Sequence, residues 1–279
     1  MSQGKLLRWV GTALVAALIV SRAEGKMLPY RLDCDHGKGS TQTETVEGVI
    51  ATIDPEGDSC RLSVRSAKGD VIFRHSASGL QVSAGLELDK DDEQFLIIQM
   101  DISPFELVIV RTGSHPAVVA TLENEYGFWV QNDCADRRWH IWTADGGFGD
   151  DPVFAPIYHH DLLVPEVVIS VRGDELSNIT PQCRAYFGKR VSAVTASLSA
   201  NQIDRFKWHE IKDEIKANEV KGQVLYAALT KLYIGQVKMA RGTLNQMWPP
   251  SDIDQTWKWM LKKQSSGLLS KLSRSQIKA

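Results

Sequence analysis

The sequence predicts an α+β fold, with an antiparallel, β-rich N-terminal part followed by a helical C-terminal part. Short segments rich in β-branched residues recur between turn signals from residue 44 to about residue 170. Helix caps and helical apolar spacing replace them after Asn178. The charge also changes sign, because residues 24–180 contain 27 acidic and 12 basic residues, whereas residues 181–279 contain 7 and 17. A change of this size indicates two structural units.

The first 23 residues have the features of a secretory signal peptide. Lys5 and Arg8 precede an apolar run from Trp9 to Val20, and small residues follow. This run is shorter than the roughly 20 residues that cross a bilayer as a helix. We therefore predict a mature chain that begins at Glu24 and is periplasmic or extracellular. An uncleaved N-terminal anchor is the alternative.

The chain contains four cysteines, which are Cys34, Cys60, Cys134 and Cys183. An even number of cysteines in an exported protein predicts one or two structural disulfides. Four cysteines allow three pairings, and the sequence does not choose among them. Their wide spacing matches no zinc motif.

Residues 24–43 are polar and rich in Gly, Ser and Thr, and they are predicted to form a flexible arm. Residues 44–177 are predicted to form an acidic β-rich domain of the propeller-blade or sandwich type. The predicted strands are 46–53, 60–65, 71–73, 95–100, 106–110, 118–122, 128–130, 139–142 and 167–171.

Residues 178–279 are predicted to form a basic α-helical domain. The pattern Ser199-Ala200-Asn201-Gln202 is typical of a capping box at the start of a helix. A further helix is predicted over about 220–234, where apolar residues recur at helical spacing and Gly235 provides a stop.

The segment from Tyr126 to Trp142 resembles a degenerate FG-GAP or VCBS repeat, a strand–loop–strand unit of β-propeller proteins. With the acidic segment 88–98, the resemblance spans about residues 86–148. The calcium-ligand positions of that repeat fall on Asn132, Cys134 and Asp136. Only one of these three keeps a carboxylate, and a thiol is a poor ligand for calcium. The resemblance therefore implies a turn between two strands, and no calcium or other cofactor is expected.

The segment from Tyr233 to Pro249 resembles a single tetratricopeptide hairpin. Gly235 and Ala240 have the spacing that lets two adjacent helices pack closely in that family. A solenoid needs about three such repeats to bury its core. The resemblance therefore implies an isolated helical hairpin that packs on the sheets or on a partner.

Candidate catalytic residues are His159, His160 and Asp161, with Asp145 or Asp151 nearby in sequence. In an extended segment His159 and Asp161 share a face, and an imidazole beside a carboxylate is a common acid–base pair. The sequence places no nucleophile or third metal ligand beside them. Surface histidines are the alternative interpretation.

Candidate binding residues come from two aromatic or basic segments. Trp129, Trp139 and Trp142 either pack in the core or form an aromatic platform for a carbohydrate or another partner. Near the C-terminus, Lys258, Lys262 and Lys263 alternate with apolar residues. That apolar face packs on the β-rich part, or the segment lies on an anionic membrane.

These features predict an exported, non-enzymatic binding or scaffold protein of the cell envelope or extracellular space. Its β-loops and a helical groove would contact a protein or an envelope polymer. The alternative is a secreted hydrolase that uses His159, His160 and Asp161. A third interpretation is binding of an anionic polymer by the basic helices, which salt would weaken. No specific nucleic acid is expected as a partner.

Overall fold

The computed structural model describes residues 31–88, 94–101, 104–145, 148 and 164–275. Thirteen strands in these residues form three antiparallel sheets, and helices follow them. The predicted α+β fold class is thereby confirmed. The predicted leader, residues 24–30 of the arm and the segment 159–161 lie outside the described residues.

Each sheet is built mainly from strands that are consecutive in the chain. Sheet A has the strand order β1-β6-β7-β8-β9, sheet B has β2-β3-β4-β5, and sheet C has β10-β11-β12-β13. The strands are β1 (Leu32–Asp35), β2 (Gln42–Val46), β3 (Val49–Glu56), β4 (Ser59–Ser66), β5 (Val71–Ala77), β6 (Gly79–Glu87), β7 (Gln94–Asp101), β8 (Phe105–Arg111), β9 (Ala117–Asn124), β10 (Phe128–Gln131), β11 (His140–Ala144), β12 (Glu166–Arg172) and β13 (Glu175–Asn178).

Sheet A is buried on both faces. One face contributes Ile98 and Val108 to a cluster that also contains Leu62 of sheet B. The opposite face contributes Ile97 and Ile109 to a second cluster, shared with sheet C and the helices. Since alternate residues of a strand point to opposite faces, burial on both sides explains the continuous apolar runs in β7 and β8.

The helices begin directly after sheet C, with a short 3-10 helix at Thr180–Cys183. The α-helices are α1 (Arg184–Ala196), α2 (Ala200–Lys207), α3 (Glu214–Tyr233), α4 (Val237–Met247), α5 (Ile253–Ser266) and α6 (Leu268–Ser275). The predicted capping box starts α2, where Ser199 and Gln202 bond each other's backbone N–H groups. From Val224 to Thr230 every residue of α3 is buried, so this helix is the centre of the helical half.

The described part of the predicted flexible arm contains one β-strand and the start of a second. Leu32–Asp35 pairs with β6 as an edge strand of sheet A, and Gln42–Val46 pairs with β3. Leu32 and Cys34 alternate with exposed residues and are buried. Four residues are too few for this alternation to be recognised within a polar segment.

Two disulfides join different layers of the molecule. Cys34–Cys60 links sheet A to sheet B, and Cys134–Cys183 links the loop after β10 to the short 3-10 helix. All four cysteines are therefore paired, and the two disulfides are the largest number that four cysteines can form. They are consistent with an oxidising, exported compartment. Within the described residues, no helix is both long and apolar enough to cross a membrane.

Candidate functional site

The three candidate tryptophans have different environments. Trp142 is fully buried between sheet C and α1, and its ring packs against Tyr186 at 5.0 Å and Phe187 at 5.7 Å between centroids. Its proposed place in an exposed platform is therefore wrong, because α1 covers that face of the sheet. Trp129 and Trp139 are half-buried against two different core clusters.

In the loop after β10, two of the positions that the FG-GAP resemblance assigns to calcium ligands have partners within the protein. Cys134 is bonded to Cys183. Asp136 accepts hydrogen bonds from the Arg138 N–H at 3.2 Å and from His140 Nε2 at 3.0 Å. Partial burial tends to raise the pKa of Asp136, but these bonds outweigh it and hold that pKa below its ordinary value. Among the described residues, no group of three or more acidic, His or Cys side chains is arranged to hold a metal ion.

An acid–arginine cluster lies where α1 packs on sheet C. It consists of Asp133, Glu166, Tyr186, Arg190 and Tyr226. Arg190 Nη1 lies 2.6 Å from each carboxylate oxygen of Glu166 and donates a third bond to the Tyr186 hydroxyl at 3.0 Å. The guanidinium also lies 5.7 Å and 6.0 Å from the ring centroids of Tyr186 and Tyr226. These contacts place one cation between a carboxylate and two aromatic rings.

Burial shifts the pKa values of this cluster. It raises the pKa of Glu166, although Arg190 opposes that shift, and it raises the pKa of Tyr186 with a further contribution from Glu166. Burial alone would lower the pKa of Arg190, but the charge of Glu166 and its hydrogen bond, together with Tyr226 and Tyr186, outweigh burial and raise that pKa. Arg190 therefore stays cationic at any ordinary pH. Several perturbed groups in one place are typical of functional sites and also of structural ion-pair networks.

A chain of hydrogen bonds leads from the cluster to the edge of sheet C. Trp129 Nε1 donates to Gln131 Oε1 at 3.0 Å, and Gln131 Nε2 donates to Asp133. Trp129 and Gln131 of β10 lie on the same face of sheet C as Trp142 of β11. Trp129, Asp133, Tyr186 and Arg190 all keep part of their surface exposed. The junction therefore presents a fixed ring edge, an acid and an arginine to solvent.

His140 lies on the same face, next to this chain. It pairs with Gln131 across β10 and β11 and is 2% exposed. While Nε2 bonds Asp136, Nδ1 is buried and has no partner among the described residues. Bonding on one ring nitrogen fixes the orientation of the imidazole.

A second buried carboxylate, Asp145, joins the end of β11 to the helices. It accepts hydrogen bonds from the Tyr233 hydroxyl at 2.7 Å and from the Leu268 N–H at 3.2 Å. A Cβ atom at Gly267 would overlap this carboxylate, so the approach requires glycine. Burial and the Asp145 charge raise the pKa of Tyr233 well above its ordinary value. This contact therefore fixes α3 and α6 against sheet C.

The C-terminal lysines lie at the surface of α5. Lys258 and Lys262 are exposed and Lys263 is half-buried. The apolar face of this segment packs inward, because Met260, Leu268 and Leu272 are buried in the main core cluster, with Trp257 and Trp259 against it. The structure therefore shows inward packing of the apolar face and leaves Lys258 and Lys262 in solvent.

Sequence reasoning missed Glu166 and Arg190. Glu166 precedes the apolar strand Val167–Val171, and Arg190 lies between Phe187 and Val191 on α1, two buried residues. A charge adjacent to an apolar face was the available signal. Which acid meets which base depends on how α1 docks, which the linear pattern does not specify. The candidate residues His159, His160 and Asp161 lie outside the described residues.

Comparisons with known proteins give no match. No protein-family model, no curated protein and no solved structure is significantly similar to this chain. The resemblances to FG-GAP and tetratricopeptide repeats therefore remain hypotheses.

Proposed function

We propose that this chain is an exported, non-enzymatic binding protein that holds a macromolecular partner at the junction of sheet C and α1. The observation that carries the proposal is the geometry of Arg190 and Glu166. Both carboxylate oxygens of Glu166 are occupied by Arg190 at 2.6 Å. Both oxygens already accept hydrogen bonds from Arg190, which fixes the ion pair, and a fixed ion pair is well suited to oriented hydrogen bonding.

The surrounding residues support recognition on a rigid surface. Trp129 and Tyr186 are half-buried rings against one core cluster, so their orientation is fixed before a partner arrives. The Cys134–Cys183 bridge restrains the loop beside them. Rigid aromatic side chains next to hydrogen-bonding groups are typical of binding hot spots, because little conformational entropy is lost on binding.

The proposal is tested by capture of partners from the source organism's envelope fraction. The bait is the chain from Glu24 onward, which contains every described element. The double variant Trp129→Ala/Asp133→Ala is expected to reduce capture of the bound species at least about tenfold, as loss of a hot spot does. The matched control is Trp208→Ala, which removes an indole that is 64% exposed and remote in sequence from the junction.

Two results would contradict the proposal. One is capture of the same species at the same level by wild type and the double variant. The other is steady turnover by the purified chain in a panel of chromogenic hydrolase substrates. Turnover would favour the hydrolase alternative, whose residues His159, His160 and Asp161 lie outside the described residues.

A further inference from the structure

Three aliphatic side chains are exposed on the first turn of α4 and on α5. Val237 is 48% exposed, Met239 is 55% exposed and Leu261 is 38% exposed. Three lysines adjoin them in sequence and are also exposed, namely Lys238, Lys258 and Lys262. None of these lysines forms an ion pair with a described residue. We call these six residues the basic tip.

Side-chain contacts bring the two parts of the basic tip to the same end of the helical half. The Phe148 ring packs between Tyr233, at 6.2 Å, and Trp259, at 5.5 Å between centroids. Tyr233 is the last residue of α3, and α4 begins four residues later at Val237. The segment of α5 around Trp259 therefore lies beside the turn that joins α3 to α4.

Helices α4 to α6 carry a net positive charge. Between residues 235 and 275 the only acidic residues are Asp252 and Asp254. Both lie at the start of α5, and Asp254 is paired with Arg241. On α5 itself, Lys258, Leu261 and Lys262 are spaced so that they share one face of the helix. No acidic side chain of α4 or the later part of α5 opposes the three lysines.

We propose that the basic tip docks on an anionic lipid bilayer. Lysines bind the anionic headgroups, and the aliphatic side chains enter the boundary between headgroups and acyl chains. A protein interface fits this surface less well, because lysine is depleted at interface cores and the aliphatic groups here are separated by lysines. The basic tip shares no residue with the junction of sheet C and α1, so substitutions test the two surfaces independently.

The size of the effect follows from the number of lysines. Each lysine near an anionic surface strengthens binding about fivefold, so loss of three lowers the partition coefficient about a hundredfold. The effect is screened by salt, since it falls off within a Debye length. The aliphatic side chains contribute a part of the binding free energy that salt does not screen.

The test is flotation of the chain from Glu24 onward with lipid vesicles, so that the predicted leader makes no contribution. One set contains phosphatidylcholine alone, and the other contains equal parts of phosphatidylcholine and phosphatidylglycerol. The charge variant is Lys238→Glu/Lys258→Glu/Lys262→Glu, and its control is Lys38→Glu/Lys68→Glu/Arg74→Glu, an equal charge change at exposed sites of the β-rich half. The apolar variant is Val237→Ser/Met239→Ser/Leu261→Ser, and its control is Ile50→Ser/Val71→Ser/Val118→Ser, which changes exposed aliphatic residues of the sheets.

Wild type and both controls are expected to float with the anionic vesicles and not with the neutral ones. The charge variant should lose at least about a hundredfold in partition coefficient, because it also adds three negative charges, and binding by the apolar variant should fall more steeply than that of wild type as salt rises. Circular dichroism confirms that each variant is folded. Failure of wild type to bind anionic vesicles, or equal binding by wild type and both tip variants, overturns the inference. Partner capture by the Trp129 and Asp133 junction is measured separately, so either proposal can fail alone.

Discussion

The interface between sheets A and B differs in chemistry from the junction between sheet C and the helices. The former is lined by apolar side chains such as Ile53, Leu62 and Ile98. The junction contains Asp145, His140 and the acid–arginine cluster. Burial at the junction raises the pKa values of Glu166, Tyr186 and Tyr233. This difference supports the proposal that the first region is a scaffold and the second the place for recognition.

The same comparison explains how the oppositely charged halves are joined. Their contact is largely apolar, since one buried cluster contains Ile97 of sheet A, Ile169 of sheet C and Leu225 of α3. Glu166–Arg190 is an ion pair that joins the β-rich half to the helical half. Burial of apolar surface, which does not depend on the sign of charge, therefore accounts for most of the docking.

The largest expected effect comes from removing one partner of the Glu166–Arg190 pair. Arg190→Met leaves the Glu166 carboxylate buried without its cation, and we expect the free energy of unfolding to fall by about 3 kcal/mol. Denaturant unfolding measures this change. Arg111→Met is the matched control, because Arg111 pairs with Asp174, whose side chain is 65% exposed, and its loss should cost less than about 1 kcal/mol. Equal losses in the two variants would contradict the distinction between the regions.

Removal of one disulfide in each region is expected to have a similar effect on stability and a different effect on binding. Cys34→Ser/Cys60→Ser and Cys134→Ser/Cys183→Ser open loops of 26 and 49 residues. Each should lower the free energy of unfolding by about 3 kcal/mol, because the unfolded chain regains conformational freedom. Only the second pair should weaken capture of the partner. Weaker capture by the Cys34–Cys60 variant, measured while it is folded, would contradict the scaffold role.

The Tyr233–Asp145 contact is expected to make the junction sensitive to alkaline pH. The pKa of Tyr233 is raised above its ordinary value of 10.0, so the folded state binds a proton that the unfolded state releases. This stability is fully present below pH 10.0 and is lost as pH rises through the folded-state pKa. Tyr233→Phe should cost about 1–3 kcal/mol at neutral pH, because Asp145 loses a donor. Unfolding curves at increasing pH should then show a smaller alkaline loss than in wild type.

The smallest expected effect concerns Asp136, which is 45% exposed and bonded to His140. Its pKa lies below the ordinary value of 3.8, so its contribution to stability is present above that pH and is lost as pH falls through the folded-state pKa. Asp136→Asn should therefore reduce the loss of unfolding free energy at acid pH without changing the loss at alkaline pH. Asp58→Asn, which removes the same charge at an exposed turn of sheet B, is the matched control.

Strands with clear local signals were predicted from the sequence, and those without them were missed. The apolar runs of β7 and β8 and the capping box of α2 are local patterns, and the structure confirms them. β6 and β13 were missed, because glycine and polar residues interrupt their alternation. β1 was missed because its four residues lie in a polar segment and are held by pairing with a distant strand.

The sequence by itself determined that a β-rich part precedes a helical part, the capacity for two disulfides and the separation of charge between the halves. These depend on residues that are close in the chain or on simple counts. The tertiary structure alone decided that Cys134 bonds Cys183, that α1 covers Trp142 and that Arg190 meets Glu166. Such contacts join residues that are distant in the chain, and they form only where apolar burial brings the sheets and helices together.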